Sequence, residues 1–579
     1  MVRRIGGCLI IPLDGILLVG SVFVLCVIAS GGGVYHIAGI RISSFSASNP
    51  IHFLFVLGAL RFLAFRGKPF LGIPRLRPAD LPGAAERLCR GLHARLSGLS
   101  DSGATRVVLL IILLSAVIKV LNAWFYFGFF AGDDVEVHQM TFAKIFGWHD
   151  WRAWDLRSPF YPFVFLYPVQ AFLRAGGAES TALLVFAGRL VVIGFSLLTL
   201  WLLYHVGRRE FGSAPAAILG VIALALSSLH TTHASSELPR TVSGFFILLV
   251  FFFVHPDRPT RRWPILLGSA IALGIGVSIR FSEIVFLAPL AISLALERRF
   301  SRAVVVGFLA LVVAAAILGV SDRLYRGDAL HSARHIIQYT LIEKQSSRGH
   351  EPFHEYLRDL GAWSSVFAAV VFFLSIRLRR RRLLLWALVP VLALSFLPHK
   401  EPRYLVPMLP FFAALVGGSI WRLLSDVYAG VGESRLRMGH RTKALVLVAI
   451  VSTASLLEID RFRFRRSETA VEAARWISRS GPVRGVAVVQ FWKAGGLLYL
   501  WRVPVIEEIA RENLGDREYI SGVMARPEIE YFLLPQKDID RYEYGPLLLD
   551  SGYSEIEFTH RVTNNNYRLF RRIRRGDAA

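Results

Sequence analysis

Long apolar runs separated by arginine-rich loops constrain this chain more than any other feature. About thirteen runs approach the roughly 20 residues that a helix needs to cross a bilayer. They lie near 8–30, 51–65, 107–130, 181–206, 213–230, 241–256, 263–279, 282–297, 303–320, 360–377, 383–398, 404–424 and 444–458. Hydrophobic residues make up 54% of the 579 residues, and the mean hydropathy is +0.49, which excludes an ordinary soluble protein. The sequence predicts a polytopic α-helical membrane protein.

Two apolar segments need a different interpretation. The stretch 159–175 contains Pro159, Pro162 and Pro168, so it is predicted to be a re-entrant or interfacial helix rather than a full crossing. The run that follows Met1–Arg4 lacks a small-x-small exit. It is therefore predicted to be a retained anchor and not a cleaved signal peptide.

The arginine clusters predict the orientation of the chain. The net charge is +24, but the arginines fall between apolar runs, which indicates topology signals and not a nucleic-acid surface. With Arg3 and Arg4 in the cytoplasm, alternation places nearly every cluster on the same side. These clusters lie at 66–106, 208–209, 258–262, 298–302, 377–382 and 422–443. One cluster, 461–466, falls on the opposite side.

The same alternation assigns the other loops to the non-cytoplasmic side. They are 131–180, 231–240, 321–359, 399–403 and the tail from about 460. These loops hold most of the non-repetitive polar residues: Asp133, Asp134, Glu237, Arg240, Asp322, His350, His354, His399, Lys400, Glu401 and Arg403. An active site is therefore expected on the non-cytoplasmic face.

The tail changes character and alternates helical with strand-like segments. A helix is predicted at 468–478, strands at 486–490 and 529–534, and a hairpin-like pair at 555–562 and 567–572. The sequence thus predicts a small soluble α/β domain. Cys8, Cys26 and Cys89 form no C-x-x-C pattern, so neither a disulfide framework nor a cysteine metal site is expected.

Two clusters of titratable residues are candidates for chemistry. Asp133 and Asp134 are adjacent carboxylates at the end of an apolar run, where one of them can act as a base; a solvated helix cap is the alternative. His399, Lys400, Glu401 and Arg403 lie between two apolar runs. Ionisable groups at such a boundary are costly unless solvated or paired, so the three cations are expected to hold a phosphate that Glu401 balances. The alternative, an ordinary positive turn, conflicts with the predicted non-cytoplasmic side.

Six motifs in order resemble one family. His399-Lys400-Glu401-Pro402-Arg403-Tyr404 looks like the His-Lys-Glu-x-Arg-Phe hallmark of the lipid-phosphate-mannose-dependent α-mannosyltransferases, the glycosyltransferase family 22-like enzymes of glycosylphosphatidylinositol-anchor and N-glycan assembly. The other segments that are similar to the family's are Asp133-Asp134, Trp154-Asp155-Leu156-Arg157-Ser158-Pro159, Arg240-Thr241 with Arg280, Ser321 to Gly327, and Gly349 to Tyr356 with His350 and His354. The sequence departs from the family pattern at Asp134, Asp155 and Phe281.

The resemblance implies a GT-C fold and a three-part chain. Residues 1–106 would be a two-span extension with a basic cytoplasmic loop, 107–459 the GT-C transmembrane core, and 460–579 an extracytoplasmic α/β domain. The soluble tail resembles those of bacterial membrane glycosyltransferases more than those of eukaryotic family members, which implies a bacterial inner membrane with a periplasmic site. A eukaryotic member would lie in the endoplasmic reticulum.

The resemblance also implies the reaction. A sugar, expected to be mannose, would pass from a polyprenyl or dolichyl phosphate donor to a glycan or glycolipid acceptor by inverting displacement. Asp133 or Asp134 would be the base; the substrate-binding residues would be His399, Lys400, Glu401, Arg403, Arg157, Arg240, Arg280, His350 and His354. No cofactor is implied, and one Asp pair does not specify a metal site, so dependence on a divalent cation stays open. No nucleic-acid partner is expected.

Three alternatives remain at this stage. A transporter or flippase of lipid-linked sugars would put ionisable residues at mid-membrane and show repeated halves. A glycan ligase or polymerase would share the topology and transfer a whole glycan, and a non-enzymatic scaffold would not explain polar motifs on one face. Lys119, inside an apolar run, would pair with the donor phosphate or Asp133, or snorkel outward.

Overall fold

The computed structural model describes most of the bundle and most of the tail. The described residues are 17, 21–22, 33–37, 40–44, 81–125, 132–147, 156–255, 263–343, 352–356, 380–397, 400–429, 441, 444–445, 447–448, 451, 469–489, 496–556 and 567–573. The predicted spans 51–65 and 360–377, and most of 8–30 and 444–458, lie outside these residues, as do Asp155, His350 and His399. Near the N-terminus, β1 (Gly33–Ile37) and β2 (Ile40–Ser44) pair antiparallel.

Helices, most of them apolar, make up the bundle. In chain order they are α1 (Leu81–Ser97), α2 (Asp101–Phe125), α3 (Gly132–Phe146), α4 (Tyr167–Ala175), α5 (Thr181–Phe211), α6 (Ala214–Leu226), α7 (Ser228–Ala234), α8 (Arg240–Phe253), α9 (Trp263–Ile279), α10 (Leu287–Leu296), α11 (Phe300–Arg326), α12 (His331–Ile337), α13 (Arg381–Ser395) and α14 (Leu409–Tyr428). In the described part of the chain, 4 helices are long and apolar enough to cross a membrane. The number is 5 if the bent pair of α6 and α7 is counted as one span.

Local sequence explains where the helices bend. Ser227 separates α6 from α7, which meet at 64°, and its hydroxyl accepts from the His230 amide and so begins a new helix. Pro162–Leu166 is a π turn that runs into α4, so the proline-containing stretch is too short to cross a bilayer. Short 3₁₀ turns at Phe281–Phe286 and Pro402–Met408 lead into α10 and α14.

Close packing between α6 and α14 holds the centre of the bundle. A Cβ added at Gly417 would collide with the backbone nitrogen of Gly220. The two helices therefore approach through their backbones, as small residues allow in membranes. Around this contact a continuous apolar core links α5, α6, α8, α9, α11, α13 and α14.

The antiparallel helices give the bundle two ends. At one end, which we call the arginine end, Arg208 pairs with Asp101 at 2.9 Å and His255 lies 3.4 Å from Glu210. At the other, which we call the site end, α2 finishes, α3 begins, and the connection from α7 to α8 meets the turn before α14. The segments predicted to be non-cytoplasmic that the structure describes gather at the site end.

The tail forms a five-stranded mixed sheet. Its strands are β3 (Gly485–Val489), β4 (Val505–Ile509), β5 (Tyr531–Pro535), β6 (Tyr553–Ile556) and β7 (Tyr567–Arg572), in the order β4-β3-β5-β7-β6. The first three are parallel and the last two antiparallel. Four helices complete it: α15 (Thr469–Arg479), α16 (Arg517–Ala525), α17 (Gln536–Tyr542) and α18 (Tyr544–Asp550). The predicted α/β tail is confirmed, and the hairpin turn lies outside the described residues.

The tail docks on the site end of the bundle. The Trp501 ring stacks on Phe146 of α3 with centroids 3.8 Å apart, and its indole N–H donates to the Thr181 hydroxyl at 3.1 Å. Arg502 pairs with Glu179. Leu498 and Leu500 are fully buried in the same apolar cluster as Val135 and Phe142 of α3. The contact therefore clamps α3, which carries Asp133 and Asp134.

Candidate active site

A cationic cluster forms where α8 begins. The guanidinium carbon of Arg240 lies 4.1 Å from the ring centroid of Tyr404, and that of Arg280 lies 5.7 Å from the same centroid. Arg403 precedes this tyrosine. The charges of Arg280 and Arg403 act on Arg240. The 3₁₀ turn before α14 thus meets the start of α8 and the start of the 3₁₀ turn before α10.

Arg240 is the buried member of this cluster. Its side chain is 1% exposed, and none of its three guanidinium nitrogens has a hydrogen-bond partner among the described residues. The nearest carboxylate oxygen, Oε2 of Glu401, is 4.0 Å away. A buried guanidinium in this state is costly, and it is matched by the two-pronged recognition of a phosphate or carboxylate.

Glu401 lies between the cations. It accepts from Arg403, and its backbone N–H donates to the Tyr356 hydroxyl at 3.4 Å. Burial raises the pKa of the Tyr356 hydroxyl, so this group stays neutral. Lys400 is buried and donates to the Leu397 carbonyl at 2.6 Å, which closes the turn. The turn is therefore held from two sides.

The acidic pair lies in the first turn of α3. Asp133 and Asp134 follow Gly132, where the helix begins; their side chains lie outside the described part of the structure. One turn on, Glu136 accepts from Arg157 Nε at 2.7 Å. Arg326 in turn donates to the Arg157 carbonyl at 3.1 Å. Arg157 thus ties α3 to the end of α11.

A second buried network lies directly beside α3. Glu237 is fully buried, and its Oε2 accepts from Arg189 Nε at 2.6 Å. The same oxygen lies 3.8 Å from Nε2 of His138. The Glu237 backbone carbonyl accepts from the Tyr161 hydroxyl at 2.8 Å. Three other segments of the chain therefore meet the segment that carries Glu237.

Lys119 belongs to neither cluster. It is fully buried on α2 and donates to the Ser196 hydroxyl at 2.7 Å; this oxygen lies 3.5 Å from His230 Nε2. Outward snorkelling is therefore wrong for this lysine. Asp322 is also buried and accepts from the amide and hydroxyl of Ser332, which fixes α12 after α11.

The described residues offer no group of three or more His, Cys, Asp or Glu side chains that could hold a metal ion. His354 is exposed, whereas its neighbours Glu355 and Tyr356 are buried. The structure therefore brings Arg240, Arg280, Glu401 and Arg403 together, pairs Arg157 with Glu136 one turn after the acidic pair, and leaves His354 at the surface.

A family model decides the identification. The model of the Alg9-like mannosyltransferase family matches residues 129–466, which is more than half of the chain. The chain belongs to the Alg9-like mannosyltransferase family. No curated protein sequence matches the chain.

Solved structures are similar to this chain in fold. ArnT from Cupriavidus metallidurans in the apo state has a TM-score of 0.50 at 16% identity, covering 81% of this chain and 98% of that one. The Archaeoglobus fulgidus oligosaccharyltransferase has a TM-score of 0.50 at 12% identity, covering 81% and 74%. ArnT bound to undecaprenyl phosphate has a TM-score of 0.49 at 15% identity, covering 80% and 97%. The Alg9-like member described here is an integral multi-pass membrane glycosyltransferase with the GT-C fold.

Sequence reasoning missed several buried residues of this Alg9-like site. Arg189 and Glu283 are charges inside the predicted spans 181–206 and 282–297, and both are buried. Glu283 accepts from Ser243 at 2.5 Å and lies near Arg240 and Arg280. The same signal that drew attention to Lys119, a charge within an apolar run, would have found both.

Proposed function

We propose that the enzyme transfers mannose from a polyprenyl phosphate to a glycan or glycolipid acceptor at the site end of the bundle. The family supports the sugar, because its members are described as Alg9-like mannosyltransferases. The lipid phosphate is supported by the cationic cluster and by its place in a membrane protein. The site end would face the non-cytoplasmic side, since the arginine-rich loops gather at the other end.

The buried guanidinium of Arg240 carries this proposal. All three of its nitrogens lack hydrogen-bond partners among the described residues, although the side chain is only 1% exposed. Tyr404 packs against the guanidinium at 4.1 Å and leaves its edge to a ligand. An anionic phosphate would supply the missing acceptors. Arg403 and Arg280, which already act on Arg240 electrostatically, would share the charge of that phosphate.

The proposed reaction is a single displacement. An aspartate of the Asp133-Asp134 pair takes the proton of the acceptor hydroxyl, and the hydroxyl oxygen attacks the anomeric carbon. The bond from that carbon to the phosphate oxygen breaks, and the lipid phosphate leaves with the electron pair. Negative charge grows on the phosphate as it leaves, so cations aimed at that position lower the barrier more than they tighten donor binding. The product has the inverted anomeric configuration.

Purified enzyme in detergent, supplied with synthetic polyprenyl-phosphate-mannose and a panel of glycan and glycolipid acceptors, tests the proposal. We expect acceptor-dependent release of polyprenyl phosphate and one added sugar per turnover. Parallel reactions with Mg²⁺ and with EDTA show whether a divalent cation is needed. Arg240→Ala is expected to lose donor-dependent turnover. Activity with a nucleotide sugar and none with the lipid-linked sugar would contradict the proposed donor, and transfer of a whole glycan would contradict the proposed transfer of one sugar.

A further inference from the structure

Glu237 connects the two halves of the proposed site. The carboxylate pairs with Arg189 of α5 and faces His138 of α3, and the backbone carbonyl accepts from Tyr161. Three residues later the chain reaches Arg240, so the two Cα atoms are at most about 10 Å apart. A four-residue segment therefore links the helix of the acidic pair to the guanidinium of the cationic cluster.

The tautomer of His138 follows from its other neighbour. Nε2 of Gln170 lies 3.0 Å from the Leu184 carbonyl and 3.0 Å from Nδ1 of His138. A carbonyl only accepts, so the Gln170 atom facing it must be the amide nitrogen, which has two protons to give. Nδ1 of His138 then accepts the second proton. In the neutral ring the remaining N–H is on Nε2 and points to Glu237.

The charge of Glu237 is maintained inside the protein. Burial acts to raise the pKa of Glu237, but the guanidinium of Arg189 and the His138 ring outweigh burial and hold this pKa below its ordinary value. The carboxylate is therefore ionised at neutral pH. An ionised acid holds Arg189 more strongly than a neutral amide would, because charge-assisted hydrogen bonds are the stronger class. Its charge also attracts the N–H of His138, whose nitrogen lies 3.8 Å away.

The link between Glu237 and Arg240 is rigid. The Ser236 hydroxyl accepts from the Leu238 amide at 3.3 Å and donates to the His233 carbonyl at 2.9 Å. Leu238 is fully buried. At Pro239, the backbone carbonyl accepts from the Ser243 amide at 2.9 Å. Movement of Glu237 would therefore be passed on to Arg240.

The packing of His138 depends on a glycine. A Cβ at Gly188 would lie 2.9 Å from His138 Cε1 and 3.3 Å from Gln170 Nε2. No carbon atom is tolerated so close to the ring without a shift. Gly188 therefore lets α3 approach α5 closely enough for His138 to face the carboxylate that Arg189, the next residue, also holds.

From these contacts we infer that Glu237 is a positioning residue, which sets the distance between the acidic pair on α3 and the phosphate-binding guanidinium of Arg240. This inference rests on the proposed function. It assigns Glu237 no contact with substrate. The residue acts through His138 on α3 and through residues 238–239 on Arg240.

Glu237→Gln is the direct test, because it keeps the size of the side chain and removes its charge. A displacement of about 1 Å can cost on the order of 100-fold in rate, so we expect kcat to fall by that order. The KM for polyprenyl-phosphate-mannose should stay within about threefold, because the cations themselves remain. Gly188→Ala leaves Glu237 intact and should reproduce the kcat loss by displacing His138.

Glu210→Gln is the matched control. Glu210 is a buried carboxylate that faces a histidine, His255 at 3.4 Å, and an arginine, Arg382 at 4.0 Å, but it lies at the arginine end. The control should lose stability as Glu237→Gln does and keep its turnover. If Glu237→Gln and Glu210→Gln lose the same melting temperature and the same kcat, then Glu237 only stabilises the fold and the inference is overturned.

A double-mutant cycle separates positioning from general damage. In a background where the base aspartate is already Asn, Glu237→Gln should cost little further turnover, because positioning acts through that base. Two results would overturn the inference and leave the proposed function standing. In the first, the kcat losses of the two substitutions simply multiply in the double mutant. In the second, the kcat of Glu237→Gln stays within a few-fold of wild type. Full activity of both Asp133→Asn and Asp134→Asn would instead remove the proposed base itself.

Discussion

Arg240 illustrates at the scale of one residue how function and stability oppose each other. A buried guanidinium without hydrogen bonds among the described residues destabilises the ligand-free protein. Replacing buried ionic groups by apolar residues of similar volume is often neutral or stabilising, by about 1–4 kcal/mol. The cost of Arg240 is therefore explained if a bound anion removes it.

The substitution Arg240→Met tests this explanation. We expect the ligand-free variant to melt at the same temperature as the wild type or higher, since the apolar side chain needs no partner. Added polyprenyl phosphate should raise the melting temperature of the wild type by mass action and leave that of Arg240→Met almost unchanged. Melting curves in detergent with and without the lipid measure both effects. An equal rise in both proteins would place the phosphate elsewhere.

Arg403 is predicted to bind the same phosphate. Arg403→Ala should cost about 1.5–3 kcal/mol of donor binding or more, the scale of a hydrogen bond to a charged group. Arg403→Lys should recover only part of the loss, because a point charge cannot reproduce a two-pronged contact. Donor titrations of initial rate measure this. Donor dependence unchanged in both variants would remove Arg403 from the site.

The choice between Asp133 and Asp134 rests on the family pattern. Both lie in the first turn of α3, but of the two only Asp134 departs from that pattern, so Asp133 is the expected base. We expect Asp133→Asn to lose roughly 100- to 10,000-fold in turnover, the range of a general base, with donor affinity nearly intact. Near-normal turnover of Asp133→Asn together with an inactive Asp134→Asn would transfer the role of base to Asp134.

Single residues also show the limits of sequence reasoning about the site. The charges of Lys400, Glu401 and Arg403 stand together between two apolar runs, so they were found. Arg189 and Glu283 lie inside apolar runs, where a charge can mark a residue of interest but does not identify its partner. Their importance comes from neighbours that are distant in sequence: Arg189 meets Glu237 across 48 positions, a distance that no local pattern encodes.

At the scale of elements, length and apolar character predicted most helices of the bundle that the structure describes. They did not predict the bend at Ser227 or the 3₁₀ turns that precede α10 and α14. The bend depends on a hydroxyl that accepts from the His230 amide, which average hydropathy does not record. In the tail, β4 was missed. Its Glu507 and Glu508 break the apolar pattern, and the strand is specified by parallel pairing with β3.

The segment from Gly496 to Tyr499 makes tail docking sensitive to pH. Burial raises the pKa of the Tyr499 hydroxyl to about 12, against an ordinary value near 10. The pKa of Tyr499 is higher in the docked, folded protein than in the unfolded chain. The neutral hydroxyl of Tyr499 therefore contributes its full stabilisation of the fold below about pH 10. This contribution is lost as the pH rises towards the pKa of about 12 that Tyr499 has in the folded protein.

Docking of the tail should therefore weaken between about pH 10 and about pH 12. Tyr499→Phe should remove the part of this weakening that comes from ionisation of the hydroxyl. Fluorescence of Trp501, which stacks on Phe146 only in the docked state, reports the transition in a background where the other tryptophans are Phe. Identical alkaline transitions in the wild type and in Tyr499→Phe would show that another group governs docking.

At the scale of the whole molecule, the division into an arginine end and a site end is what the sequence predicted most directly. The arginine loops that the structure describes do gather at one end, because charge patterning and helix alternation are both periodic along the chain. The docking of the tail could not be foreseen in detail. It rests on Trp501 and Arg502, which meet Thr181 and Glu179 only in the folded protein.

The orientation of these two ends in the membrane is a prediction that cysteine labelling can test. We choose Ser551, exposed in the tail, and Ser301, exposed where α11 begins at the arginine end. Each becomes the single cysteine in a chain lacking Cys8, Cys26 and Cys89. If positive charge is retained in the cytoplasm, an impermeant thiol reagent should modify Ser551→Cys in intact cells. Ser301→Cys should react only after the cells are opened. The reverse pattern would put the arginine end outside and, because the tail clamps α3, would move the acidic pair to the cytoplasmic face with it.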